Sequence, residues 1–230
     1  MTVTDGGKCV YYAYTGRIDD EGATRIATAL NSAVNSQCGT AHLSFNSLGG
    51  YVASGIWLYN HMRALPLKIV ITNTGSVGSI AVTVFVGGTE RYCSRHAKFM
   101  IHPTTVTSLP GMSWDMLKSS AESALADDER TERILRERTR LTDELLNARR
   151  SRDVHIGPGD ALANGLVQGI AEFEVPPGVQ VIQIELRGHR ILRCGPGCYA
   201  ATRRRQVVES RRRKGFRPAA RGLKTFRPSG

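Results

Sequence analysis

The chain has 230 residues with 41% hydrophobic and 7% aromatic content, enough for one domain with a substantial core or one domain plus a tail. No stretch approaches the roughly 18 to 20 consecutive apolar residues of a membrane span. The start, MTVTDGGKC, has no cationic segment leading into an apolar one, so a soluble, cytoplasmic chain without membrane contact is expected. The net charge of +11 is unevenly placed: from Arg203 onward eleven Lys and Arg face one acid, Glu209, which leaves residues 1–202 at about +1.

Cys9 to Tyr14 is β-branched and aromatic enough for a strand, which Gly16 ends. In IDDEGATRIATALNSAV, Ile26, Ala29, Leu30, Ala33 and Val34 share one face behind an acidic first turn, which predicts an amphipathic helix. AHLSFNS alternates as a strand, with Leu43 and Phe45 on one side, and stops at Gly49-Gly50. Residues 53–64, carrying Ile56, Trp57, Tyr59 and Met62, form a second helix. LKIVIT, residues 67–72, is the continuous apolar run of a strand buried on both faces. TNTGSVG then reads as a glycine-rich turn into a short buried helix, IAVTVFV, followed by strands at RYC and AKFMI. Strands alternating with helices predict an α/β domain with a largely parallel sheet.

From Trp114 to Arg149 no Gly or Pro interrupts a charged helical segment with few apolar positions. It is longer than most globular helices and too polar for a core, so it must project or bridge subunits. A short helix at 159–164, a strand near 169–173 and a hairpin around VIQIELRGHRIL complete a body of residues 1–200. Residues 201–230, with Phe-Arg-Pro twice, read as a disordered basic tail. The five cysteines have no framework spacing. Cys194 and Cys198 could pair, or could bind zinc with only His189 nearby; buried or idle thiols in a reducing compartment is the favoured reading, with no metal.

A serine is a poor nucleophile without a base, an orienter for that base and donors for an oxyanion. Any serine can be matched on paper with one of six histidines, so position has to choose. Ser79 stands where a turn meets an apolar helix, next to the unpaired first-turn amide of Ile80; an N-cap is the structural alternative. Ser76 lies inside the turn and has no helix amide after it. Gly49-Gly50 leaves backbone amides open to a ligand, or is simply a turn. His102 follows the run FMI at a strand end, where α/β proteins place their sites, and Asp153 lies in a loop after the long helix.

Together, FNSLGGYVASGIWLYNHM, TGSVGSIA, RYCSRHAKFMIHP and RDVHIGPGDALANGLV resemble the proteolytic subunit of the Clp protease, over about residues 10–170. The 29 residues from Gly50 to Ser79 and the nine from Cys93 to His102 are similar to the family's own spacing. The resemblance implies Ser79 as nucleophile, His102 as general base and acid, Asp153 as orienter of His102, and Gly50 and Ile80 as oxyanion amides. It also implies a crotonase-like α/β fold with a projecting helical handle at about 112–149. The assembly it implies is two stacked rings of seven subunits around a chamber, fed unfolded protein by an AAA+ unfoldase that uses ATP, with no cofactor in this chain. Against the family pattern, Leu48 stands for a proline, Ser151 for an acid, and TTVTSLPGM for a glycine-rich strand that pairs with peptide. Two other readings are a catalytically silent ring subunit or scaffold and, on the shared fold, an enzyme acting on acyl-CoA, against which a complete Ser-His-Asp set argues. The tail, with cations interspersed with Phe, suits nucleic acid or an acidic partner; a dispensable extension is the alternative.

Overall fold

A computed structural model describes residues 8–107 and 109–184. The elements follow the apolar pattern in order: β1 (Cys9–Thr15), α1 (Asp20–Asn35), β2 (Thr40–Ser47), α2 (Val52–Ala64), β3 (Lys68–Gly78), α3 (Ile80–Phe85), β4 (Glu90–Cys93) and β5 (Lys98–Ile101). After these come α4 (Trp114–Arg138), α5 (Asp143–Ala148), β6 (Val154–Ile156), α6 (Pro158–Ala163), β7 (Gly169–Ile170) and β8 (Val181–Ile184). The sheet runs β6-β5-β3-β2-β1-β8, with β4 beside β3 and β7. Every pair is parallel except β5 with β6.

Local chemistry explains the boundaries. The Asp19 carboxylate accepts from Gly22 N at 2.8 Å and starts α1, whose buried face includes Ala23, Ile26, Ala27, Leu30 and Ala33. All six residues of α3 are buried, and Phe85 meets Phe99 of β5 edge to face, with ring centroids 5.1 Å apart. The free thiols of Cys38 and Cys93 lie in this core, and burial pushes that of Cys93 up to about 11, so it stays protonated at neutral pH.

Three expectations change. The first half of the predicted hairpin is β8, parallel to β1; its remainder, Cys194, Cys198, His189 and the basic tail lie outside the described residues. The strand near 169–173 is only Gly169–Ile170. The long helix is two helices. Thr139 Oγ1 bonds back to Leu135 O at 2.6 Å and accepts from Leu141 N at 3.3 Å, and Thr142 accepts from Leu145 N at 3.4 Å to open α5. The two hydroxyls thus accept from Leu141 N and Leu145 N, amides that a continuous helix would have paired with its own carbonyls. Most of α4 is exposed as far as Leu125, and its buried residues are Thr131, Glu132 and Leu135.

Glu132 ties the two helices together, accepting from Arg136 at 3.0 Å and from Arg150 at 3.0 Å. Burial pushes its carboxyl up, but hydrogen bonds from Arg150 and Arg136 outweigh that and hold it below the ordinary 4.5. A depressed folded pKa contributes stability that is present above the unfolded value and lost as pH falls through the folded one. Glu132→Gln is therefore expected to lower the urea midpoint at pH 7 and to flatten its fall below about pH 4.5. A wild-type slope in that acid window would contradict the assignment.

Candidate active site

The strand that delivers Ser79 is longer than its apolar run. TNTGSVG is not a turn: β3 continues through it, pairing first with β4 (Val70–Asn73 against Glu90–Cys93) and then with β5 (Ser76–Gly78 against Lys98–Met100). Against β2 the register shifts, since Phe45 opposes Asn73 but Ser47 opposes Val77. Side chains satisfy the displaced amides: Ser76 N donates to Asn46 Oδ1 at 2.9 Å and Gly75 N to Asn73 Oδ1 at 3.0 Å, while Asn73 Nδ2 donates to Lys98 O at 3.0 Å. Ser76 is thus part of an irregular strand.

Ser79 sits at the switch from β3 to α3 with φ 57° and ψ −135°, a region that strains an L residue. Its amide donates to Met100 O at 2.8 Å. Ser79 holds the N-cap position of α3, but its hydroxyl makes no capping bond there. Gly49, at φ 107°, lies directly on it: a Cβ there would be 2.6 Å from Ser79 Cβ and 3.2 Å from Oγ. Gly50 forms a parallel bridge with Ile18, in which Ile18 N donates to Gly49 O at 2.9 Å and Tyr51 N to Ile18 O at 2.8 Å. Those bonds use the groups flanking Gly50, so its own amide and carbonyl face away from Ile18.

Gly50, Ser79, Ile80 and His102 line one cavity of about 70 Å³, whose lining also includes Asp128, Thr131, Leu135 and Arg149. His102, partly buried, is one residue past the end of β5, the strand next to Ser79. The β5–β6 ladder pairs Phe99 with Ile156, Met100 with His155 and Ile101 with Val154 and ends there; the same register carried one step further would set Asp153 opposite His102. Asp153 lies in the loop after the helices, as expected, and immediately precedes a strand too short to be legible in the sequence. Its side chain is exposed and outside the cavity lining, and among the described residues no hydrogen bond links Ser79, His102 and Asp153.

A family model described as Clp protease matches residues 11–174. The chain belongs to the Clp protease family. It is 25% identical over 179 residues to ATP-dependent Clp protease proteolytic subunit 2 of Pseudomonas aeruginosa, covering 74% of this chain and 88% of that one. It is 30% identical over 132 residues to ATP-dependent Clp protease proteolytic subunits of Arabis hirsuta and Aethionema cordifolium, covering 56% of this chain and 67% of each of those. Its α/β architecture is the crotonase-like fold of the Clp protease family, and the family and these relatives point to a peptidase. No helix among the described residues is long and apolar enough to cross a membrane.

The departures from the family pattern can now be located. Leu48 is 73% exposed, so its side chain stands clear while Gly49 keeps its approach to Ser79. The Ser151 hydroxyl donates to Ala148 O at 3.3 Å. In TTVTSLPGM, which stands where the family pattern has a strand, residues 104–107 and 109–112 form none within this single chain.

Sequence reasoning missed four polar residues around the site. Asn46 and Asn73 hold the irregular part of β3, and Asn73 has no solvent exposure. An Asn at the end of an apolar strand run was their available signal. Asp128 and Arg149 are the others. Asp128 Oδ1 accepts from both Thr104 N and Thr104 Oγ1 at 2.8 Å. Arg149 Nη2 donates to Asp128 O and to Thr131 Oγ1, both at 3.1 Å, and lies 3.4 Å from Asp128 Oδ1. Burial pushes the Arg149 pKa below its ordinary value, against the pull of the Asp128 and Glu132 carboxylates.

Proposed function

We propose that this chain is a serine endopeptidase, the proteolytic subunit of a Clp-type protease, with Ser79, His102 and Asp153 as its triad. Ser79 Oγ attacks a peptide carbonyl as His102 takes the hydroxyl proton, and the amides of Gly50 and Ile80 receive the oxyanion. Collapse of the tetrahedral adduct breaks the C–N bond, and His102 returns the proton to the leaving amine. Water, deprotonated by His102, then attacks the acyl-enzyme, and the released acid regenerates Ser79. Asp153 orients His102 across the end of the β5–β6 ladder. The observation that carries this reading is that a strained Ser79, whose hydroxyl caps nothing, lines one cavity with His102, Gly50 and Ile80.

Assembly into stacked heptameric rings, an ATP-using AAA+ unfoldase and unfolded protein as substrate rest on family membership. The exposed Trp114 and Leu125 on a polar helix also support a subunit contact along the handle. A second reading, a catalytically silent ring subunit, is favoured by the missing hydrogen bonds among the three triad side chains. Catalytic hydrogen bonds often tighten only with substrate bound, so the active reading stands first. A fluorophosphonate probe is expected to label the wild type and not Ser79→Ala. Labelling that survives in Ser79→Ala would refute the nucleophile. Wild-type rings that neither label nor cleave a short fluorogenic peptide would establish the silent subunit.

A further inference from the structure

The residues after His102 have no ladder to hold them. β5 ends at Ile101, and both hydrogen bonds made by residues 102–107 go from Thr104 to one acceptor, Asp128 Oδ1, at 2.8 Å each. Pro103 lies between His102 and Thr104. Its ring fixes its own φ, and its Cδ biases the residue before it toward an extended conformation. His102 is thus joined to Thr104 by a stiff link, so where Thr104 is anchored decides where the imidazole stands.

Asp128 in turn is held from the other side. Arg149, with only 3% of its side chain exposed, bonds the Asp128 carbonyl and Thr131 Oγ1 and brings Nη2 to 3.4 Å from the Asp128 carboxylate. Its Nε is buried without a hydrogen-bond partner. Fastening α4 does not require so awkward a group, because Glu132, bound to Arg150, and the buried Leu135 already do so within the following two turns. What Asp128 and Arg149 add is a fixed, charged acceptor at the wall of the cavity that Ser79 and His102 share.

We propose that Asp128 and Arg149 are positioning residues for His102: Asp128 fixes the main chain at Thr104, and Arg149 fixes Asp128. This rests on the peptidase reading of Ser79 and His102 for its effect on rate, but not for its effect on structure. Two readouts separate the two. In amide hydrogen exchange, Asp128→Ala is expected to speed exchange at Thr104 by at least tenfold, with or without activity. In peptide hydrolysis, Asp128→Ala is expected to lower kcat at least tenfold with KM within twofold of wild type. Thr104→Val should act in the same direction, and the double variant should be no worse than Asp128→Ala, because both act through one contact. Asp128→Asn keeps an acceptor oxygen for Thr104 but loses the charge facing Arg149, so it should fall between; it also replaces Asp128→Ala if that variant does not fold. An unchanged Thr104 amide, or additive losses of kcat, would overturn the clamp. A wild type that the probe does not label would overturn the peptidase reading instead.

Discussion

Gly49→Ala is expected to cut peptide hydrolysis and probe labelling by roughly 100-fold or more while leaving a folded protein. The methyl group would stand 2.6 Å from Ser79 Cβ and 2.9 Å from Gly78 O, both fixed by the end of β3. It would also have to be carried at φ 107°, where an L residue is strained. No flexible side-chain end is available to yield, so either Ser79 or the Gly49-Gly50 segment must shift on the order of 1 Å, and a displacement of that size costs about 100-fold in rate. The stability loss should be about 1–3 kcal/mol, the cost of one strained backbone position. Initial rates set beside a urea titration would check this, and wild-type turnover in Gly49→Ala would show that the close approach does not matter.

For Arg91→Met the expected effect falls on stability, about 3–5 kcal/mol, because each buried carbonyl left without a donor costs about 1–3 kcal/mol. Arg91 is 5% exposed and bonds to carbonyls alone: Nε to Leu166 O at 3.0 Å, Nη1 to Val86 O at 3.4 Å, and Nη2 to Arg138 O and Gly165 O at 3.1 Å each. Val86 caps α3, Arg138 ends α4, and Gly165 and Leu166 follow α6, so one guanidinium gathers carbonyls at three helix ends. Burial, then the neighbouring Arg138 and Arg63 guanidiniums, push its pKa down to about 10, which still leaves it charged at neutral pH. Arg91→Lys should recover only part of the loss, since an ammonium cannot spread along the fork that reaches all three ends. Urea midpoints at one protein concentration decide the matter, and a midpoint for Arg91→Met equal to wild type would sink it.

The order of strands and helices was legible because each apolar run kept its own period, and Ser79 was legible as the last polar residue before a wholly buried helix. The course of β3 through TNTGSVG was not. Its Asn and Gly residues are turn formers, and what overrides them is Asn46, thirty positions before Ser76 and on another strand. The break in the handle had a visible marker, Thr142 followed by Asp143 and Glu144, but the helix-favouring residues on either side masked it. Arg149, Arg150 and Arg152 are the same residue type within four positions. Only tertiary packing buries the first, sends the second to Glu132 and leaves the third exposed.

The antiparallel pairing of β5 with β6 also says which length changes the chain can tolerate. Topologically, everything between Ile101 and Val154 is the connection of one β-hairpin, with its two ends anchored by the ladder. Lengthening a loop adds only about 0.6 kcal/mol of closure cost per doubling, so residues added at the handle's tip need not disturb His102 or Asp153. A single residue deleted inside β6 is a different event. It would bring Arg152 to the position opposite His102 and exchange a carboxylate for a guanidinium at the imidazole. Neighbouring positions in this chain should therefore differ sharply in the insertions and deletions they accept, according to whether they lie within the ladder or beyond it.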